Sequence, residues 1–185
     1  MNSYTTSHRT TDGTSATSLW LLRNPIDYIA EDHLRLRAMC AEMDRLANSE
    51  TADRDTAAML SEYLGQELPL LLADEDDDLL PCLLRRAEPE DELPKLALRL
   101  HQEHTEISKH LSVVVIGVDA LRPGREVPAA LATALHALAN ATRRHLILEN
   151  AVLLPLSRAR LTKDDLRHLR AAMLKRRGLD DLFAA

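Results

Sequence analysis

Apolar residues recur at intervals of three and four along most of this chain, and no run alternates between apolar and polar positions. The first spacing is that of an amphipathic helix, and the missing alternation argues against half-buried strands. Leu and Ala dominate the apolar residues while Val and Ile are sparse, which also disfavours strands. The pattern therefore predicts an all-α protein.

Four long helices and one short helix are predicted from this periodicity and from the residues that start and stop helices. Asn24-Pro25 marks the first start, because Asn can cap a helix and Pro suits its first turn. Pro69 falls inside the second helix and predicts a kink there, and Pro81 predicts a second bend. The predicted spans are about 25–47, 56–86, 94–121, 128–156 and 163–176. Short connectors between long helices indicate an up-down-up-down four-helix bundle with an additional short C-terminal helix.

The chain divides into three predicted parts. Residues 1–19 are rich in Ser and Thr and lack an apolar stretch, so we expect a disordered N-terminal tail. The bundle is expected over residues 20–160, and a basic helix with a short tail over residues 161–185. The basic residues of that last helix are expected to form a solvated face.

Composition limits the surroundings and partners of the protein. No segment approaches the ~20 apolar residues that a membrane helix needs. A net charge of -6 gives no electrostatic reason to expect nucleic acid as a partner. The two cysteines, Cys40 and Cys82, suit a reducing cytosol better than a disulfide scaffold. We therefore expect a cytoplasmic protein that binds neither membrane nor nucleic acid.

The motif Glu-x-x-x-Leu-Leu-Pro occurs twice, beginning at Glu75 and at Glu149, and each copy closes a long apolar-periodic segment. In the second copy His145 precedes Glu149 by four residues, so imidazole and carboxylate point the same way. In the first copy that position is Leu71. Of the acidic run 74–78, the helical period sends Glu75 inward and leaves Asp74, Asp76 and Asp77 facing water.

Four of the eight histidines fall on the inward stripes of their helices: His33, His101, His104 and His145. Counting from the helix ends at about 1.5 Å per residue places His33, Glu75, His104 and the His145/Glu149 pair at one depth within about one turn. Every helix of the bundle thus offers a ligand-type side chain at the same level. Imidazole nitrogen and carboxylate oxygen together suit iron, manganese or zinc, and two glutamates on different helices are what a carboxylate-bridged pair of metals requires.

These residues resemble the hemerythrin-like, or HHE cation-binding, family over roughly residues 25–157. The resemblance lies in Asp32-His33 followed by Leu-Arg-Leu-Arg, Glu75 before Leu-Leu-Pro, Glu103-His104, and His145-x-x-x-Glu149 before Leu-Leu-Pro. It implies a non-haem di-iron centre, bridged by carboxylates and able to bind oxygen. Relatives carry, store or sense oxygen, nitric oxide, peroxide or iron. Carried over by position, the implied ligands are His33, Glu75, His104, His145 and Glu149, with the two glutamates as bridges.

The resemblance is incomplete at Leu71, because the family usually has His-x-x-x-Glu on the second helix as well. Leucine cannot bind metal, and three consequences stay open. In the first, one iron has an open coordination position, which favours binding of an exogenous small molecule. In the second, a nearby group substitutes for the missing histidine, with His101 or Glu67 as the candidates. Alternatively, the site binds one metal weakly or none.

The sequence leads to one predicted function and two competing ones. We predict a binuclear non-haem iron protein that binds or senses oxygen, nitric oxide, peroxide or iron in a stress response, with a diatomic ligand or peroxide as its partner. The alternative is a metal-poor helical module that kept the bundle and regulates a protein partner, which Leu71 supports. A di-iron peroxidase or nitric oxide reductase is the third, although the sequence shows no dedicated proton donor or substrate pocket.

Overall fold

The computed structural model describes residues 13–180 and 182–183, and these residues form an all-helical bundle. The predicted all-α class is confirmed. Two helices are uninterrupted along the bundle, α1 at Pro25–Ala47 and α3 at Leu93–Asp119. Helix α2 spans residues 54–84 and helix α4 spans residues 129–160, each built from consecutive helical segments. A shorter helix, α5, follows at Lys163–Arg176.

Local sequence signals explain where several helices begin. Pro25 occupies the first turn of α1, as expected from its missing amide donor. The side chain of Asp53 accepts a hydrogen bond from the amide of Thr56 and so caps α2. Thr162 and Asp165 form a reciprocal capping box at the start of α5. These caps satisfy amides that have no partner within their own helix.

Three prolines lie inside α2 and α4, and each is preceded by a π-helical turn through which the helix continues. In α2, α-helical segments at Arg54–Glu62, Leu68–Ala73 and Leu80–Leu84 alternate with π turns at Tyr63–Glu67 and Asp74–Leu79. In α4, the π turn Glu149–Leu153 separates Ala129–Leu148 from Leu154–Arg160. Each π turn ends two residues before a proline: Pro69, Pro81 and Pro155.

The chemistry of proline accounts for these wider turns. Proline has no amide to donate to the carbonyl four residues back, and its ring crowds that carbonyl. The leucine before each proline instead donates to the carbonyl five residues back, for example from Leu80 to Glu75 and from Leu154 to Glu149. One extra residue per turn relieves the clash while the helix continues. The predicted kinks at Pro69 and Pro81 thus take the form of π turns, and α4 runs four residues beyond its predicted end.

The core is one continuous apolar cluster to which all five helices contribute. Helix α1 packs against α2 and α4, and α3 packs against the same two helices. Each helix buries at least one leucine completely or almost so: Leu36, Leu64, Leu100, Leu138 and Leu169. Burial of one such side chain contributes about 1.5–3 kcal/mol. Within the described residues no helix combines the length and the apolar character needed to cross a membrane.

The N-terminal segment touches the bundle where it is described. Residues 1–12 of the predicted disordered tail lie outside the described residues. Thr17 is 9 % exposed and donates a hydrogen bond of 2.6 Å to the buried Asp32 of α1. The Nε atom of Arg35 donates to the carbonyl oxygen of Thr14 at 3.1 Å. A 3₁₀ turn at Leu19–Arg23 then leads into α1.

Helix α5 is fastened to the second π turn of α2 by charge. Asp74 is fully buried and accepts hydrogen bonds from Arg177, with Nη2–Oδ2 at 2.6 Å and Nη1–Oδ1 at 3.1 Å. Arg176 pairs with the same carboxylate and with Asp78, the latter at 2.7 Å. The Arg177 guanidinium also lies 5.2 Å from the centre of the Tyr28 ring. The expectations that Asp74 faces water and that the basic residues of α5 form only a solvated face are therefore wrong.

We expect Asp74→Ala to lower the free energy of unfolding by about 3–5 kcal/mol, because it leaves the Arg177 guanidinium buried without its partner. Asp77→Ala is the matched control, since Asp77 is 68 % exposed and lies 3.6 Å from Arg176. Its effect should stay within about 0.5 kcal/mol. Urea denaturation followed by circular dichroism measures both values. Equal effects of the two substitutions would contradict this account of the α5 contact.

Candidate metal centre

Side chains from all four long helices meet at one level of the bundle interior. Each side chain is no more than 3 % exposed. The set consists of His33 from α1, Glu75 from α2, His104 from α3, and His145 and Glu149 from α4. Both glutamates lie in π turns, at Asp74–Leu79 and Glu149–Leu153.

The two carboxylates lie between His33 and the His104/His145 pair. The Nε2 atom of His33 is 2.9 Å from Oε1 of Glu75 and 3.4 Å from Oε2 of Glu149. On the other side, Nε2 of His145 is 3.0 Å from Oε2 of Glu149. The Nε2 atom of His104 is 3.5 Å from Oε2 of Glu75 and 2.8 Å from Nε2 of His145. Each glutamate therefore contacts imidazoles from both groups, which is the arrangement of a bridging carboxylate.

The dimensions and the unpaired atoms of this cluster fit a metal ion. Ligand atoms of Glu75, His104, His145 and Glu149 all lie within 4.8 Å of one another. Donors bonded to one ion at about 2.0–2.2 Å are separated by up to about 4.4 Å, so these groups need to move together only slightly to bind one ion. Oxygen Oε2 of Glu75 and Oε1 of Glu149 are buried with no hydrogen-bond partner. Since an unpaired buried carboxylate oxygen is costly, a cation between them is the natural compensation.

The outer nitrogens of all three imidazoles face oxygen atoms. The Nδ1 atom of His145 is 3.0 Å from Oε2 of Glu103, and Nδ1 of His33 is 3.3 Å from Oδ1 of Asn150. The Nδ1 atom of His104 is 2.9 Å from Oδ1 of Asp76, a close contact and not an aligned hydrogen bond. An acceptor at Nδ1 favours the proton there and directs the Nε2 lone pair toward the centre of the cluster, as in protein metal sites.

Sequence reasoning missed these three supporting residues as parts of the site. Each is the chain neighbour of a candidate ligand, and Glu103 also stands in the Glu103-His104 motif that carries part of the family resemblance. Asp76 follows Glu75, Glu103 precedes His104, and Asn150 follows Glu149. Asp76 was predicted to face water. Glu103 reaches across to a histidine of another helix, so only the packing of α3 on α4 reveals its role.

The electrostatics of the cluster favour charged imidazoles when no cation is present. Burial would lower the pKa of His33, but the Glu149 and Glu75 carboxylates outweigh burial and raise it to about 9. Burial also opposes the charge on His104, whose pKa the contacts with Asp76, Glu149 and Glu75 nevertheless raise to about 10. Burial would raise the pKa of Glu149, but the nearby His33, His104 and His145 outweigh burial and lower it. In the metal-free protein, the charged imidazolium groups therefore supply the positive charge that a metal ion would otherwise provide.

Two predicted ligands lie outside the cluster. His101 is 66 % exposed, and its nearest acidic contact is Asp76 at 3.6 Å. Glu67 pairs with Arg35 through two hydrogen bonds, one of them 2.8 Å long, and so turns away from the cluster. Neither side chain compensates for Leu71, which is itself buried. Of the three consequences left open at Leu71, substitution by His101 or Glu67 is the one that the positions of these side chains argue against.

A family model described as the hemerythrin HHE cation binding domain matches residues 24–157. The chain belongs to this family. The matched range contains all five side chains of the cluster, whereas α5 lies beyond its end in this hemerythrin-family protein. A comparison with curated proteins finds no match.

The histidine pKa values predict how the metal-free protein responds to pH. Both imidazoles have pKa values raised above the ordinary 6.5, so their stabilisation is complete below pH 6.5 and is lost as pH rises through about 9 and about 10. We therefore expect the free energy of unfolding to fall over this range. Urea denaturation in the presence of a chelator measures it at each pH. The His33→Gln variant should lose the part of the decline that ends near pH 9. A decline of unchanged size in that variant would refute the assignment.

Proposed function

We propose that this hemerythrin-family protein holds a binuclear non-haem iron centre in an up-down-up-down bundle and uses it to bind oxygen, nitric oxide or peroxide. We further propose a role in the cell's response to these molecules. The observation that carries the proposal is the burial of three imidazoles and two carboxylates at one level, with an oxygen facing the outer nitrogen of every imidazole. An iron pair at this position would supply reversible ligand binding and electron transfer.

The residues divide into two groups of ligands that share the carboxylates. His104 and His145, together with the two glutamates, suit one ion. His33 and the same glutamates suit the other. The donors are nitrogen and oxygen, and both cysteines are free and buried elsewhere in the fold. Such a donor set suits iron, whereas a structural zinc site would be built mainly on thiolates.

The asymmetry between the two groups supports binding of an exogenous molecule. Leu71 stands four residues before Glu75, where a histidine would supply the His33 side with a second imidazole. Its apolar side chain would leave an ion on that side with one protein nitrogen and a position free for another ligand. Leu71, Leu100 and Leu153 are all buried, so the surroundings of the centre exclude bulk water. A small uncharged ligand enters such an apolar shell more readily than a hydrated ion does.

A bundle without metal fits these observations less well. It would bury two carboxylates, each with an oxygen that has no hydrogen-bond partner, at the centre of an otherwise apolar core. Apolar side chains of similar volume usually stabilise such a position better. Retention of the whole set therefore favours a bound cation.

Metal content tests the proposal directly. Protein purified from iron-replete cells is expected to contain about two irons per chain and to show a charge-transfer band that changes between air and nitrogen. His145→Ala should remove the ion on the His104 side, and His33→Ala the other, each lowering the content towards one. His168→Ala, on α5 outside the matched family range, is the control and should retain both ions. Metal-free wild-type protein that remains fully helical would refute the proposed function.

Leu71→His tests the open position. The new imidazole should tighten binding of the ion on the His33 side by about 10-fold or more and weaken binding of nitric oxide or azide there. Leu71→Met keeps an apolar side chain of similar volume and should behave like the wild type in both respects. Ligand titrations followed by optical absorption distinguish the variants. Unchanged ligand affinity in Leu71→His would show that the small molecule binds elsewhere.

A further inference from the structure

An open groove runs along the outer face of α3 and reaches the metal cluster at its edge. Its lining consists of Asp76 from α2 and, along α3, His101, His104, Thr105, Ser108, Lys109 and Ser112. Exposure falls steeply from the surface inward: the side chain of His101 is 66 % exposed, that of Asp76 24 % and that of His104 3 %. His104 therefore connects the groove with the cluster, because it lines the groove and its Nε2 atom contacts Glu75.

Asp76 is the member of the acidic run that arginine leaves uncompensated. Asp74 and Asp78 pair with arginines of α5, and Asp77 lies 3.6 Å from one of them. Glu75 faces the cluster. Within the described part of the chain, the charged contacts of Asp76 are with two imidazoles and with neither lysine nor arginine.

One oxygen of Asp76 faces both of these imidazoles. Its Oδ1 lies 3.6 Å from Nδ1 of His101 and 2.9 Å from Nδ1 of His104. Both Asp76 Oδ1 and His104 Nδ1 are buried atoms without a hydrogen-bond partner. These two atoms lie 2.9 Å apart without an aligned hydrogen bond, so the lone pairs of Asp76 Oδ1 remain available to a further partner at the groove.

We propose that Asp76 and His101 form an outer capture site for a divalent cation on its way to the buried centre. The site rests on the proposed function, because its purpose is to supply that centre. It offers one carboxylate oxygen and one imidazole nitrogen, with water completing the coordination of the ion. Two protein ligands hold an ion weakly, which suits a position that must release it. The ion then exchanges its waters for the ligands beyond His104.

The sign of the groove's charge supports a cation over an anion. Lys109 also lines the groove, but it is eight residues from His101, or about 12 Å along α3. At the mouth itself the carboxylate of Asp76 would repel an anion. A carboxylate at the mouth of a cleft raises the local concentration of cations there and so their rate of binding.

Stopped-flow uptake of Co²⁺ by metal-free protein tests the proposal, since bound Co²⁺ absorbs visible light. His101→Gln should slow the bimolecular uptake by about tenfold, because it removes one of the two protein ligands of the capture site. The Co²⁺ content at equilibrium should not change, because His101 does not contact the cluster. His110→Gln is the matched control: His110 lies on the same helix, is 36 % exposed and contacts Glu106. Uptake by His101→Gln at the wild-type rate, or equal slowing in both variants, would overturn the proposal.

A second measurement judges the capture site independently of the buried centre. In the Glu149→Gln variant, which removes a shared ligand of the centre, Co²⁺ should still shift the ring resonances of His101 by its paramagnetism. Adding Asp76→Asn should abolish that shift. Resonances of His101 that do not respond to Co²⁺ would overturn the capture site even if the centre fills. If wild-type protein binds no Co²⁺ in its interior but His101 responds, the proposed function fails and the groove site stands.

Discussion

Two carboxylates buried at the middle of an apolar bundle are the constraint on which the rest of this structure depends. A carboxylate is stable in such a place only with compensating positive charge and with hydrogen bonds. Three imidazoles supply that compensation around Glu75 and Glu149, and their outer nitrogens face Asp76, Glu103 and Asn150. The cluster is therefore layered: imidazoles surround the two carboxylates, and polar side chains face the outer nitrogens of the imidazoles.

The backbone contributes to the same arrangement through its prolines. The repeated Glu-x-x-x-Leu-Leu-Pro places the glutamate first in a turn whose width the proline dictates, because the proline cannot donate to the carbonyl four residues back. The leucine before it bonds to the carbonyl of the glutamate itself in both copies. One motif thus fixes the backbone of both glutamates of the cluster. π turns of this kind frequently occur at functional sites, where they direct a side chain inward.

The fold and the five central side chains could be predicted from the sequence, and the reason is geometric. All helices share one rise per residue, so counting from helix ends gives the depth of His33, Glu75 and His104 without knowledge of the packing. The same counting fails where another element covers a helix. Asp74 was predicted to face water, but Arg176 and Arg177 at the end of α5 pack over it, a contact that the periodicity of α2 does not reveal. Contacts between helices, such as Arg35 with Glu67, are beyond any periodicity argument.

The site combines a carboxylate, that of Glu75, whose neighbour Asp74 is held by α5, with one imidazole fewer than the family pattern has. Arg177 binds Asp74 from the end of α5, and Asp74 is the chain neighbour of Glu75, so this part of α2 is fixed by a residue outside the matched family range. One turn earlier, Leu71 supplies no donor at all. The contacts of Glu75 with His33 and of Asp74 with Arg177 are nevertheless present and buried. A leucine at one ligand position therefore coexists with an otherwise charged and buried site, which supports the proposal that a small ligand binds at the position it leaves open.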